Sequence, residues 1–334
     1  MYRTAPFIRL GETIDSILTE HPILFDELVR QARTDNPWFT AGNVKLALTA
    51  ILKKMLRREK LGRWLNAYPY PGDNNPKNVG IVMAGNIPMV GFFDLLCVCV
   101  AGHNAYVKTS SKDSVLMKYA VKALRAADRS LVIEPLEDGS PLDAVIATGS
   151  NNTNRYFKSR YGNIPRLLRG SRTSVAVLTG KETIAELGAL SHDVFDYFGM
   201  GCRNTSKIFV PEGYDLAELT NALRERNITH PNYLSAYKHH RALLNMRRTE
   251  FIDGGFFTLR ESSGFSEALP DLVYARYGSS EEAQEWIALH DESLQCVVTT
   301  AFDHRGKAGF GEAQQPELWD YPDGRDVMAF LNSL

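Results

Sequence analysis

From residue 78 onward the chain alternates short, almost wholly apolar runs with stretches of helical period, and no other feature restricts its fold as much. The runs VGIVMAG (79–85), NAYVKTS (104–110), LDAVIATGS (142–150) and SVAVLTG (174–180) read as strands shielded on both faces rather than half-wet ones. Between them, NIPMVGFFDLLCVCVAG (86–102), VLMKYAVKALRAADR (115–129) and NNTNRYFKSRYG (151–162) read as helices. Strand and helix in strict alternation predict an α/β fold in which a parallel sheet is covered on both sides.

The flanking regions differ in character. Residues 10–40 and 41–68 carry apolar residues at helical spacing, interrupted at Pro37, and the turn cluster PYPGDNNPKN (69–78) marks the best early boundary. After about Lys181 a helix (183–198) leads to the strand KIFVPEG (207–213). A helical region (216–244) follows, then the strands GFFTLRE, DLVYARYG and QCVVTTAF. The ending, 310–334, is turn-rich before a short amphipathic helix. The organisation expected is a helical segment and nucleotide-binding domain over 1–178, a second α/β domain over 179–310 and a C-terminal segment over 311–334.

Composition narrows the classes of function. A chain of 334 residues has room for two domains. Its 38 basic and 39 acidic residues leave a formal charge of −1, so no overall field recommends nucleic acid as a partner. The longest apolar stretch, Met89 to Gly102, is too short to span a bilayer and contains Asp94. Cysteines 97, 99, 202 and 296 form no metal-binding spacing, and with no signal-peptide pattern the expectation is a cytoplasmic protein with free thiols and no metal. Cys97, Cys99 and Cys296 lie in apolar runs and read as core. His239 and His240 read as solvated. The run KKMLRREK (53–60) reads as the wet face of a helix with Met55 and Leu56 inward.

Three of the strands end in residues suited to a ligand. Gly85-Asn86 follows the first, Lys108-Thr109-Ser110-Ser111 ends the second, and Thr148-Gly149-Ser150 ends the third. In an open parallel sheet, ligands bind at the carboxyl ends of strands, although glycine and serine also serve there simply to turn the chain. No GxGxxG follows any strand, so the usual dinucleotide fingerprint is missing. Asn86 either makes an Asx-type turn or turns its amide toward an oxyanion, and the residues alone leave both open. A fourth feature is DYFGMGCRNTSKIFVP (196–211), where Gly199 and Gly201 precede Cys202 and a polar pair follows it. Cysteine more often packs as a small apolar group, yet this setting also suits a nucleophile on a loop.

Taken in order, these pieces resemble the aldehyde dehydrogenase superfamily, and within it the LuxC-like acyl-CoA reductase branch. AGNIPMV resembles PWNFP, VKTSS resembles KPSE, and ATGS resembles FTGS. RGSRTSVAVL resembles ELGGKSPAIV, GMGCRNTSKIFVPEG resembles GQxC followed by RxFV, and DESLQCVV echoes EEIFGPV. The resemblance implies a Rossmann-type cofactor domain beside a catalytic α/β domain. It implies Cys202 as nucleophile and Asn86 as the oxyanion's side-chain donor. Toward a nicotinamide cofactor it implies Gly85, Lys108, Thr109, Ser110 and Ser111, the loop Thr148, Gly149 and Ser150, Gly170, and Glu292 at the nicotinamide ribose.

Two departures refine it. The general-base glutamate of ELGG has no counterpart, Leu167, Leu168 and Arg169 standing in its neighbourhood. An acyl-cysteine would then escape hydrolysis and meet hydride instead. Ser111 replaces the KPSE glutamate, whose charge would repel a 2′-phosphate, so NADPH is expected over NADH, with Lys112 or Arg172 as the phosphate's cation. Arg203 and a helix terminus are expected to lower the Cys202 pKa. The substrate expected is an acyl-CoA or acyl-protein thioester, fatty acyl in type, supplied by an acyl-transferring partner enzyme. The superfamily commonly forms dimers or tetramers, but its oligomerisation hairpin has no obvious equivalent in PYPGDNNPKN, so a homo-oligomer is left open. The competing readings are an acyl-phosphate reductase, a non-redox cysteine acyltransferase or thioesterase, and a non-catalytic scaffold.

Overall fold

Four helices precede the first strand, α1 (Ala5–Thr19), α2 (Pro22–Asp35), α3 (Ala41–Lys54) and α4 (Arg58–Leu65), in the computed structural model, which describes residues 2–69 and 76–334. The turn cluster expected as an early boundary thus lies, over 70–75, outside the described residues. The first helical stretch breaks at Pro22 rather than running on to Pro37. Proline opens α2, where its missing N–H removes no helical hydrogen bond and its φ is already helical. Phe7, Leu10 and Ile14 of α1, Val44 and Ile51 of α3, and Trp64 of α4 join one core with the elements that follow. Within the basic run, Leu56 is buried, while Lys54 and Lys60 reach Glu317 at 2.9 and 2.7 Å.

The first sheet comprises β1 (Asn78–Val82), β2 (Asn104–Lys108), β3 (Ile133–Pro135), β4 (Ala144–Thr148) and β5 (Arg166–Arg169) in the order β3-β2-β1-β4-β5. Every pairing is parallel. The connections are α5 (Phe92–Val100), α6 (Ser114–Ala127) and α7 (Asn151–Arg160). The chain moves outward from β1 on one side and then crosses to β4 on the other, so the strand order reverses beside β1, the usual place for a ligand crevice. The strand β5 is a finding, since RLLR is too short and too charged to announce itself. Its Arg169 is buried and donates through Nη1 to both carboxylate oxygens of Asp94, at 2.8 and 2.7 Å.

A second compact unit covers 172–314, and 315–334 returns to the first. The strand read from SVAVLTG is β6 (Thr173–Val177), and it sits in the second sheet, not the first. The remaining elements of this unit are α8 (Ile184–Phe195), β7 (Thr205–Pro211), α9 (Leu216–Arg224), α10 (Pro231–Arg247), β8 (Ile252–Asp253) and β9 (Thr258–Glu261). Then come β10 (Asp271–Tyr277), α11 (Ser280–Leu289), β11 (Leu294–Thr299) and β12 (Lys307–Ala308). The order is β12-β11-β6-β7-β10-β9-β8, with β8 antiparallel to β9 and the other pairs parallel. Val175, Val177, Phe209, Ile287 and Val297 pack on one face.

The observed divisions, 171/172 and 314/315, replace those expected at 178 and 310, because strand partners rather than sequence spacing decide where β6 belongs. The last segment is not an independent tail. Its helix α12 (Val327–Asn332) buries Val327 and Met328 in the first unit's core. Trp64 Nε1 donates to the Tyr321 hydroxyl at 2.6 Å, and the Tyr68 hydroxyl to Asp326 at 2.6 Å. His240 is also not solvated: it is buried on α10, 3.3 Å from the Asp271 carboxylate. Among the described residues no helix is long and apolar enough to cross a membrane.

Candidate active site

Cys202 lies at the amino edge of the second sheet, between α8 and β7, and its side is exposed, whereas Cys97, Cys99 and Cys296 are buried. A full capping box fixes where α8 starts, Thr183 accepting from Glu186 N–H while Glu186 reaches back to Thr183. Beyond its end the backbone turns sharply: Tyr197, Phe198 and Gly199 have φ of 53°, 58° and 75°. Two successive left-handed non-glycine residues carry strain that packing must hold in place. The Phe198 ring lies 4.8 Å from that of His230 and Tyr197 is buried, which supplies part of that hold.

Two buried polar residues tie down the loop itself. Asn204 accepts the Gly201 N–H through Oδ1 at 2.7 Å, and its amide group donates to the carbonyls of Asp193, Val194 and Asp196 at 3.0, 3.2 and 2.9 Å. The Ser174 hydroxyl donates to the Cys202 carbonyl at 3.0 Å and accepts the Cys296 N–H at 3.0 Å. Arg203 Nη1 donates to the Cys296 sulfur at 3.1 Å. The helix terminus before Cys202 is a carboxyl end, whose dipole disfavours a thiolate, so the anticipated helix assistance is absent from α8.

A cavity of about 380 Å³ adjoins this loop within the second unit. Its walls include Gly199, Asn204, Thr205, Phe265, Glu267 and Leu269. The Thr205 hydroxyl is buried with no hydrogen-bond partner among the described residues, and Thr173 and Ser206 share a hydroxyl contact of 2.7 Å on the same lining. The segment before β10 reaches this position because β10 pairs directly with β7. Lys207 helps to hold it: its buried ammonium donates to the carbonyls of Ser262 and Gly264 at 2.5 and 3.0 Å and lies about 5 Å from the Phe209 and Trp286 rings. Burial lowers its pKa to about 8.

Glu292 is exposed in the turn preceding β11, which lies on the far side of β6 from β7, and it is not a wall of the cavity. Glu267 is, with its carboxylate 3.4 and 3.5 Å from Arg247 and Arg260. The segment 265–272 lines the cavity beside Gly199 and Asn204, while β11 meets the same loop through Ser174 and Cys296. Arg172 is engaged with the carbonyls of Asp291 and Leu294 at 3.2 and 2.7 Å, a framework role for a residue considered as a phosphate partner.

In the first unit the expected residues gather at the carboxyl edge of the sheet. Asn86 is exposed just beyond β1. Its loop is clamped on both sides, by the Asn36 amide donating to the Gly85 carbonyl at 3.3 Å and by the Met89 N–H donating to Asp113 at 2.7 Å. Met89 has a φ of 60°. A Cβ on Gly85 would lie 2.5 Å from the Ser110 side chain, so only glycine lets the β1 and β2 loops approach so closely. Lys108, Ser111 and Lys112 are exposed, Thr109 and Ser110 partly so. Thr148 and Gly149 are half-buried, Ser150 caps α7 by accepting the Thr153 N–H at 3.2 Å, and Gly170 follows β5. A cation, several hydroxyls and a capped helix start at one edge suit a phosphate-bearing nucleotide. Among the described residues no group of His, Cys, Asp and Glu could hold a metal.

Asp113 gives a pH signature for the Asn86 clamp. Burial raises its pKa from 3.8 to about 7 despite the Met89 N–H. The folded state therefore holds this proton more tightly than the unfolded one, and stability from this group is lost as pH rises from about 4 to 7. Asp113→Asn keeps an acceptor for Met89 and removes the titration. The variant is expected to melt several degrees above the wild type at pH 8, the gap closing toward pH 4, as thermal denaturation across that range will measure.

No protein-family model matches this sequence, and no curated protein matches it. Solved structures do match in fold. An NAD-dependent benzaldehyde dehydrogenase from Corynebacterium glutamicum superposes with a TM-score of 0.64 at 14% identity, covering 89% of this chain and 75% of that one. Aldehyde dehydrogenase 21 from Physcomitrella patens gives 0.66 at 12% identity, over 98% of this chain and 84% of its own. An aldehyde dehydrogenase from Mycobacterium tuberculosis, solved with NAD+, gives 0.59 at 14% identity, over 91% and 75%. The fold is that of the aldehyde dehydrogenases, with a Rossmann-type unit and a second α/β unit.

Proposed function

We propose that this chain is an NADPH-dependent reductase that converts an acyl-CoA, or another acyl thioester, to an aldehyde through an acyl group carried on Cys202. The observation that carries the reading is the setting of Cys202, the exposed cysteine on a strained and pinned loop beside a cavity. The fold supports an aldehyde-forming or aldehyde-consuming oxidoreductase. Arg169 favours the former, because in the neighbourhood where the resemblance expects a carboxylate base there is a guanidinium committed to Asp94.

The Cys202 thiolate attacks the thioester carbonyl, Asn86 donates to the resulting oxyanion, and the CoA thiolate departs, leaving an acyl-cysteine. After the carbonyl carbon is reduced, the Cys202 thiolate leaves the thiohemiacetal and an aldehyde is released. The nicotinamide cofactor, when bound, supplies the hydride. Lys108, Ser110, Ser111 and Ser150 suit its phosphates and adenosine ribose. In the second unit Glu292 is the residue that the resemblance gives to the nicotinamide ribose, and it is exposed before β11. Ser111, with exposed Lys112 beside it, supports NADPH over NADH.

An absorbance assay of NADPH oxidation with acyl-CoAs of graded length and with acyl phosphates tests this. The reading expects oxidation with at least one acyl-CoA and none with acyl phosphates. Thiol release from acyl-CoA without cofactor consumption or aldehyde would replace it with an acyltransferase. In the same assay Glu292→Gln is expected to raise the KM for NADPH several-fold, and an unchanged KM would remove Glu292 from the cofactor site.

A further inference from the structure

We infer that Asn204 is the positioning residue of the proposed nucleophile, setting the direction of the Cys202 side chain through both ends of one amide. The inference rests on the reading of Cys202 as the acylated thiol. Asn204 is 2% exposed, and no feature of the sequence distinguished it from the polar residues around it. The turn that bears Cys202 is closed twice across the same pair of residues. The Asn204 Oδ1 accepts the Gly201 N–H at 2.7 Å, and the Asn204 N–H donates to the Gly201 carbonyl at 3.1 Å. Cys202 sits inside that closure with its own carbonyl held by Ser174, so little freedom remains for its backbone to swing.

The other end of the amide explains why asparagine, and not aspartate or serine, stands here. The carbonyls that close α8 have no intrahelical donors, and three of them, those of Asp193, Val194 and Asp196, converge on the Asn204 Nδ2. These carbonyls form the negative end of the helix, next to a loop that must carry a thiolate. The Nδ2 group occupies them, while Oδ1 faces the other way and holds Gly201. Aspartate could accept from Gly201 yet would set a buried negative charge against three carbonyl oxygens. Serine could reach one set of partners only.

The test compares Cys202 acylation by an acyl-CoA, followed by mass spectrometry, in wild type, Asn204→Ala and Asn204→Asp. For folded Asn204→Ala the expected result is a fall in the first-order acylation rate of about 100-fold, as for a displaced reacting atom, with acyl-CoA affinity within about twofold. A structural role alone would lower the melting temperature and leave the rate of the folded fraction unchanged, and that result overturns the inference. Asn204→Asp fills the same volume and serves if the alanine variant does not accumulate. Its rate relative to wild type is expected to rise as pH falls from 8 to 6, because a protonated carboxyl regains one donor. A flat ratio contradicts the inference. Failure of the wild-type protein itself to acylate at Cys202 defeats the functional reading, and the inference with it.

Discussion

Cys202→Ser is expected to abolish aldehyde formation, with turnover falling by about 1,000-fold or more while the protein remains folded. The reasons are chemical. A serine hydroxyl is scarcely ionised near neutral pH. An ester formed on serine also accepts hydride less readily than a thioester, and an alkoxide leaves the reduced adduct far less readily than a thiolate. The side chain is exposed and the pinning contacts run through Asn204, Ser174 and the Cys202 backbone, so the substitution leaves the fold intact. Steady-state NADPH oxidation, with circular dichroism as control, measures both halves of the expectation. Retention of a tenth of the wild-type rate would remove Cys202 from the mechanism.

Asn86→Ala is expected to lower kcat by about 100- to 1,000-fold, the usual cost of deleting one oxyanion donor, with a smaller effect on KM. Asn86 is exposed, and contacts of the Gly85 carbonyl and the Met89 N–H hold its loop. Thermal stability should therefore change by less than about 1 kcal/mol. A matching fall in acylation rate and hydride step would place the donor in both tetrahedral stages. A large loss of stability with kcat per folded molecule preserved would instead favour the simple Asx-turn role that the residues alone left open.

The sequence made the first sheet legible because strands buried on both faces write themselves as unbroken apolar runs, as at 79–83 and 144–148. It made the exposure of Cys202 legible because two glycines and a polar pair surround it where a core cysteine would have apolar neighbours. Sheet membership was not legible. The run 174–178 is as apolar as the strands before it, and nothing in a period-two or apolar pattern says which strand lies beside it. Nor does such a pattern show that 265–272 lines the cavity beside Gly199 and Asn204, a placement that follows from β10 pairing with β7. Asn204 and Asp113 were hidden for a different reason. Their value lies in which backbone groups they meet across a turn, and such partners depend on left-handed residues at Tyr197, Phe198 and Met89 that propensity does not foresee.

Residue-resolved mass spectrometry after incubation with acyl-CoAs, first without cofactor and then with NADPH, tests the central claim most directly. The mechanism predicts one acyl group on Cys202, stable until NADPH is added and then released as aldehyde. An adduct on Cys296 with Cys202 unmodified, or an acyl-Cys202 that NADPH leaves in place, would contradict it.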